Sequence, residues 1–367
     1  MKIYKIILAL LCSLHFCFAA ESSFQKNLDS WRTQNQITSV VISVADLNND
    51  HINNYESGTT LMKGKTPVTA NSLYGVGSIS KTFVAASILQ LQEEGKLKLT
   101  DSLGQYLPEY PRWKEITLQQ VLNMTSGIPN FTESPQFKAL SNSNPQTLIP
   151  PALLINMAYA MPDYFASGQG WHYSNTNYYL LGLVIEKVTG QPLEVVFKQR
   201  FFKPLKLNHT FYSTAFYPAS VETKMAHAYM GNQDVTNFNA GLYGPAGGMV
   251  MDSHDLVTWT HSLFTPGVIL SQGSINQLMT TIPVSPSPPK PLGAAYGLGI
   301  YSLNVQGIGL IWYYAGVING YTSTLMWVPA KNEIIVAQVA SWPNGHYEVL
   351  FPNQPLIQKI LAESSGS

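Results

Sequence analysis

Four side chains in this sequence have the types and spacings of a nucleophile and its proton carriers. Ser78 and Lys81 stand three residues apart behind Tyr74-Gly-Val-Gly77, so in a helix they share one face. A serine hydroxyl attacks poorly until a neighbouring base takes its proton, and an amine held beside it can do so. The spacing alone is weak, because Ser23 to Lys26 and Ser287 to Lys290 repeat it. The first of these sits in a polar segment, and the second in a proline loop that cannot hold helical geometry. Ser78 is the one at a glycine turn opening an apolar helix; its bland alternative is a capping serine with a solvated lysine. Tyr173 and Asn175 make the single Tyr-x-Asn in the chain. In extended backbone, residues two apart point the same way, so phenol and amide would enter one cleft. The alternative there is a core tyrosine beside a turn asparagine.

The elements around them can be read from periodicity. Ile79, Phe83 and Ala86, widened by Val84, Ile88 and Leu91, predict an amphipathic helix that Gly95 stops. Strands are expected at 39–47 and 51–60 around the Asn48-Asn-Asp50 turn, and again at 297–303, 309–314, 322–328 and 333–339. Helices are expected at 23–35, 117–124, 151–161, 176–189, 192–202, 253–263 and 355–362. Residues 128–150 read as a surface excursion, 241–248 as a glycine-rich turn and 285–291 as a polyproline-like loop. Strands at both ends with helices between predict an α+β (mixed α/β) fold. An antiparallel sheet flanked by helices would come from about 20–75 and 290–367, and an inserted, mainly helical part from about 96–285.

Composition narrows the class. With 367 residues, 45% hydrophobic, the chain can bury a large core, and its formal net charge of zero gives no argument for nucleic acid. Lys2 and Lys5, an apolar run from Ile6 to Phe18 and the small pair Ala19-Ala20 predict a signal peptide over 1–19 and a periplasmic or secreted protein. The run is shorter than the ~20 residues of a spanning helix, so no stable membrane span is expected after cleavage. Both cysteines, Cys12 and Cys17, lie inside it, leaving neither a thiol nucleophile nor a Cys-metal site beyond. No His-x-x-x-His pair supports metal catalysis, and no metal or cofactor is expected. His172 reads as a packing residue. Asn-x-Ser/Thr matches at Asn123, Asn130 and Asn208 are what chance yields in so Asn- and Thr-rich a chain.

Taken together, these residues resemble the serine β-lactamase-related family, with class C β-lactamases and D-alanyl-D-alanine carboxypeptidases nearest. The likeness rests on Ser78-Ile-Ser-Lys81, Leu91-Gln-Glu-Glu-Gly-Lys-Leu97, Thr125-Ser-Gly-Ile-Pro129, Tyr173-Ser-Asn-Thr-Asn-Tyr-Tyr-Leu-Leu-Gly182, Ala246-Gly-Gly248 and Tyr296-Gly-Leu-Gly299. It runs over roughly residues 30–345 and agrees with the fold just read. The resemblance implies a Ser78 acyl-enzyme, with Lys81 and Tyr173 sharing general base and acid work; which of them is the base stays open. It implies that Asn175 binds the substrate amide and Lys81, and that the N–H groups of Ser78 and Val317 form an oxyanion hole. Gly316 would let substrate lie along its strand. Where the family carries Lys-Thr-Gly or His-x-Gly, this chain reads Tyr314-Ala-Gly316. Tyr314 is neutral at pH 7, so the cation that assists carboxylate-bearing substrates is replaced. The expected substrate is a small molecule or peptide, such as a cell-wall peptide or a β-lactam. A peptide, amide or ester is hydrolysed; the alternatives are a family esterase and a non-catalytic descendant that binds a partner in the same cleft.

Overall fold

A computed structural model describes residues 24–143, 146–284, 293–341, 352 and 355–363. The expected signal peptide, with Cys12 and Cys17, and the proline loop from 285 lie outside these residues. In chain order the strands are β1 (Ser39–Asp46), β2 (His51–Gly58), β3 (Tyr74–Gly75), β4 (Thr210–Tyr212), β5 (Tyr229–Met230), β6 (Gln233–Asp234) and β7 (Met249–Met251). The chain then adds β8 (Ile282–Pro283), β9 (Ala295–Tyr296), β10 (Tyr301–Val305), β11 (Gly309–Ile318), β12 (Tyr321–Val328) and β13 (Glu333–Ala340). The main sheet runs β2-β1-β13-β12-β11-β10-β9-β8, with every pair antiparallel. Both chain ends therefore build it, as the strand pattern predicts.

Strands β1 and β13 are buried almost along their whole length, which is why Ser-Val-Val-Ile-Ser-Val-Ala and Glu-Ile-Ile-Val-Ala-Gln-Val-Ala are near-continuous apolar runs. The cross-strand register sorts their side chains. Val41, Gln338, Ser323 and Gly316 lie in one row across the sheet, and Ser43, Val336, Leu325 and Tyr314 in the next row on the same face. This face receives the Ser253–Phe264 helix and the Tyr74–Gly75 strand, whereas Phe24 and Arg32 of the N-terminal helix meet Tyr55 and Ser57 on the other. Ser43 hydrogen-bonds Ser253 at 2.8 Å at the start of helix Ser253–Phe264, and Trp327 stacks on Phe264 at its end. Ser323 donates to the Gly75 carbonyl (3.0 Å) and Gln338 to that of Met251 (3.2 Å). Small and polar residues occupy the row because backbone comes within hydrogen-bond reach there.

Helix Ser80–Glu93 differs from the amphipathic reading: Ser80 through Leu89 are all buried. A helix enclosed on all sides carries apolar residues all round, and this one is wrapped by aromatic rings. Phe83 stacks on Trp259 at 3.6 Å and meets Phe197, Phe201 and Phe202 edge-on. Gly95, at φ 69°, follows its end.

Other expectations need correction. Of the strand expected at 297–303 only Tyr301–Leu303 is strand, the start of β10; β9 ends before it at Tyr296, and the turn between them holds Gly299 at φ 86°. A Cβ there would lie 2.8 Å from that of Ala85 and 2.9 Å from the Tyr178 hydroxyl, so the close approach to helix Ser80–Glu93 dictates the break. The glycine-rich stretch 241–248 contains two short helical turns, Ala240–Leu242 and Gly244–Gly247. The expected helical part also holds β4 to β7, and β8 falls before residue 290. Residues 128–150 are not wholly superficial. Asn130 and Phe131 are buried, with Phe131 edge-on to Phe137 and Tyr179.

Candidate active site

The chain leaves β3 through Val76 into a tight turn, Gly77–Ile79, that runs straight into helix Ser80–Glu93. Gly77 takes φ 49°, and a Cβ on it would meet Val317 N and O at 2.8 Å. The Ser80 hydroxyl donates to the Gly77 carbonyl at 2.7 Å and pins the turn. Ser78 therefore stands at the mouth of the helix, partly open to solvent.

Lys81 is fully buried beneath it. Its Nζ is bonded to Ser78 Oγ (3.1 Å), Asn175 Oδ1 (2.8 Å) and the Ala246 carbonyl (2.6 Å). Burial pushes the Lys81 ammonium well below its ordinary range, because the charged form loses hydration. Tyr173 donates to Ser78 Oγ at 2.7 Å. Burial pushes its phenol up to about 12, with a smaller downward pull from Ser78 and Tyr314. Lys81 Nζ lies 4.9 Å from the centre of the Tyr173 ring.

Asn175 opens helix Asn175–Thr189. Its backbone N–H donates to Asn130 Oδ1 (3.1 Å), and its side-chain amide to Asn130 Oδ1 and Thr132 Oγ1 (both 3.3 Å). Those bonds fix the amide so that its oxygen faces Lys81. Around them, Thr176 donates to the Pro129 carbonyl (2.6 Å) and accepts from Phe131 N–H (3.0 Å). Asn130 and Thr132 are thus part of the site; sequence reading weighed Asn130 only within an Asn-x-Ser/Thr match. The signal available was its place immediately after Thr125-Ser-Gly-Ile-Pro129.

Strand β11 closes the other side. Strand β10 pairs with Gly309–Tyr313 and goes no further, so Tyr314–Ile318 keeps one edge for the Gly77–Ile79 turn. Gly316 lies directly against it: a Cβ there would be 1.9 Å from the Val76 carbonyl oxygen and 2.7 Å from Ser78 N. Val317 turns its side chain outward, 39% exposed. Tyr314 is buried, its hydroxyl bonded to that of Tyr296 (3.1 Å). His172 stacks on Tyr164 at 3.8 Å between ring centres. Among the described residues no three His, Cys, Asp or Glu side chains converge as a metal site. Ser78, Lys81, Tyr173 and Asn175, scattered over 98 positions in sequence, share one hydrogen-bonded cluster.

Comparison with known proteins gives matches over most of the chain. Residues 24–354 match the Beta-lactamase family. A D-stereospecific amidohydrolase from Streptomyces sp. is 30% identical, with a TM-score of 0.78 over 90% of this chain and 98% of that one. The fold is also that of D-amino acid amidase from Ochrobactrum anthropi SV3, solved with L-phenylalanine amide (21% identity, TM-score 0.79, 95% and 97% covered). The putative penicillin-binding protein PbpX of Bacillus subtilis (strain 168) is 32% identical over 230 residues, 62% of this chain and 52% of that one. The chain spans about half or less of the length of the curated relatives it matches.

Proposed function

Because the chain belongs to the beta-lactamase family, whose members are serine hydrolases, we propose that it hydrolyses a neutral amide, peptide or ester through an acyl-enzyme on Ser78. The bonding of Lys81 carries this reading. Asn175 Oδ1 and the Ala246 carbonyl can only accept, so they take both hydrogens of a neutral amine. The lone pair then faces Ser78 Oγ, the third partner, whose hydroxyl can donate to it. Burial favours that neutral form. Lys81 is accordingly the base in acylation, and Tyr173, still protonated near neutral pH, is the acid.

Each step then balances. Ser78 Oγ bonds to the substrate carbonyl carbon as its proton passes to Lys81 Nζ. The oxyanion is held by the N–H groups of Ser78 and Val317, whose strand lies against the nucleophile's turn. As the bond to the leaving group breaks, that group takes the Tyr173 proton, and Lys81 returns its own to the phenolate. Water then attacks the acyl carbon and gives a proton to the same pair. Ser78 leaves as the alcohol with the proton the pair supplies.

The absence of a cation at Tyr314 favours substrates with no carboxylate beside the reacting bond. Amides of D-amino acids, the substrate class named for one structural neighbour, fit that description. The enzyme would act outside the cytoplasm after export by residues 1–19, which fractionation of cells producing the full chain would check.

The test compares native protein with Ser78→Ala on D- and L-phenylalanine amide, p-nitrophenyl acetate and a fluorescent penicillin, following turnover and intact mass. Ser78-dependent amide or ester turnover without a lasting penicillin adduct is expected. No Ser78-dependent turnover of any of them would overturn the proposal.

A further inference from the structure

A cavity of about 400 Å³ opens along helix Asn175–Thr189, and none of Ser78, Lys81, Tyr173 and Asn175 lines it. Its back wall is one face of that helix, where Tyr179, Gly182, Leu183 and Glu186 recur at helical spacing. Glu186 stands roughly 16 Å along the axis from Asn175, so the cavity runs away from the hydrogen-bonded cluster. Gly182 lets the Gly244–Gly247 turn settle on the helix, because a Cβ there would lie 2.9 Å from Pro245 Cγ. The Tyr179 hydroxyl donates to the Gly241 carbonyl at 2.5 Å. Both contacts preform the wall. Leu193 and Pro245 add apolar surface, and Leu148, 71% exposed, stands at the rim.

Among the buried and half-buried side chains of this lining, two keep unspent polar groups. Glu186 takes the Leu193 N–H on Oε1 at 2.9 Å. Its second oxygen accepts from no described residue, although a carboxylate accepts on both. No ion pair among the described residues includes Glu186, and no lysine, arginine or histidine lines the cavity. Tyr212, 6% exposed, lines it too, and its hydroxyl bonds to no described residue. A carboxylate set in an apolar wall is best satisfied by a charged donor. We propose that this cavity binds a small primary ammonium carried on an apolar ring, with the ammonium on Glu186 and the ring against Leu183, Leu193 and Pro245. The volume, near the lower end for ligand sites, suits one ring and a short linker. A carboxylate on the same ring would meet Glu186 as a like charge, which discriminates against it. Pro245 is followed by Ala246, whose carbonyl holds Lys81 at 2.6 Å. The ligand would thus rest on the turn that positions this lysine, and its binding does not depend on acylation of Ser78.

Titration of the full chain into p-fluorophenethylamine, read from the fluorine resonance, tests the site. Saturable binding with a millimolar or tighter Kd is expected. Glu186→Gln keeps an acceptor for Leu193 N–H and removes the charge, so it should weaken the amine roughly tenfold. The neutral p-fluorophenethyl alcohol should bind the native protein and Glu186→Gln alike, and p-fluorophenylacetate should bind neither measurably. Leu183→Trp, confirmed folded by circular dichroism, fills the cavity and should abolish binding of the amine. An amine affinity unmoved by Glu186→Gln, or retained in folded Leu183→Trp, would place the amine elsewhere and overturn the proposal. Equal affinities for the amine and the carboxylate, or no saturation by about 10 mM amine, would overturn it as well.

Discussion

Replacing Gly316 by Ala tests whether β11 and the Gly77–Ile79 turn are held at catalytic distance. The added Cβ would sit 1.9 Å from the Val76 carbonyl oxygen, where carbons essentially never approach under 3.0 Å, so strand and turn must part by roughly 1 Å. Neither side yields freely. Val76 N–H donates to the Met249 carbonyl (3.0 Å), Ile79 N–H to that of Val76 (3.2 Å), and Ser323 ties β12 to Gly75 (3.0 Å). Overpacking of this kind costs about 1–3 kcal/mol of stability. The effect on turnover is larger, because the same movement takes Val317 N–H away from Ser78. A misplacement of ~1 Å is worth about 10²-fold, and a lost oxyanion donor about 10²–10³-fold. The expected result is a folded variant whose kcat on p-nitrophenyl acetate falls by about 10²–10³-fold, with denaturant unfolding to confirm folding and measure the smaller stability loss. A folded Gly316→Ala protein within about threefold of native kcat would refute the argument that this contact builds the oxyanion hole.

Two further outcomes follow from the buried helix. Lys81 has a folded-state pKa well below 10.5; between that value and 10.5 the unfolded chain holds a proton the folded chain lacks, so native stability rises with pH across the window. Lys81→Met has no such contribution. Urea unfolding should show the native protein gaining on Lys81→Met as pH climbs toward 10.5, and a flat or reversed difference would contradict a neutral Lys81. Phe83→Ala, which empties the space stacked on Trp259, should cost about 3–5 kcal/mol. A loss under about 1 kcal/mol in the same assay would mean that the ring cluster can refill the space.

What could be read from sequence was local. Ser78 and Lys81 share a face because helical spacing puts them there, and the strands around Val40 and Ile335 announce themselves by β-branched content. The Tyr173 and Asn175 pair was visible as a spacing, yet nothing in the spacing says that Asn130 holds the amide from 45 positions away. The hydroxyls of Tyr178 and Tyr296 meet only because β9 packs against helix Asn175–Thr189, and a chain with 20 tyrosines offers no reason to select these. The amphipathic reading of Ser80–Glu93 missed its full enclosure because Ser80, Lys81, Thr82 and Ser87 look like an exposed polar face. In the fold they bond to carbonyls and to the site.

The pairing of β1 with β13 has a consequence for how the molecule comes into being. Ser39 is opposite Ala340, so the contact joining the two chain ends closes a loop longer than most whole domains. Such contacts are slow to form, since chain entropy must be lost before they contribute. Strand β11, with Gly316 and Val317, is added to that sheet through β12, while the nucleophile's turn waits some 240 residues upstream. During synthesis Ser78 emerges early without a partner strand, and it gains one only when the last strands are available. Hydrolytic competence should therefore appear late and all at once during refolding, together with burial of the tryptophan at position 327 against Phe264.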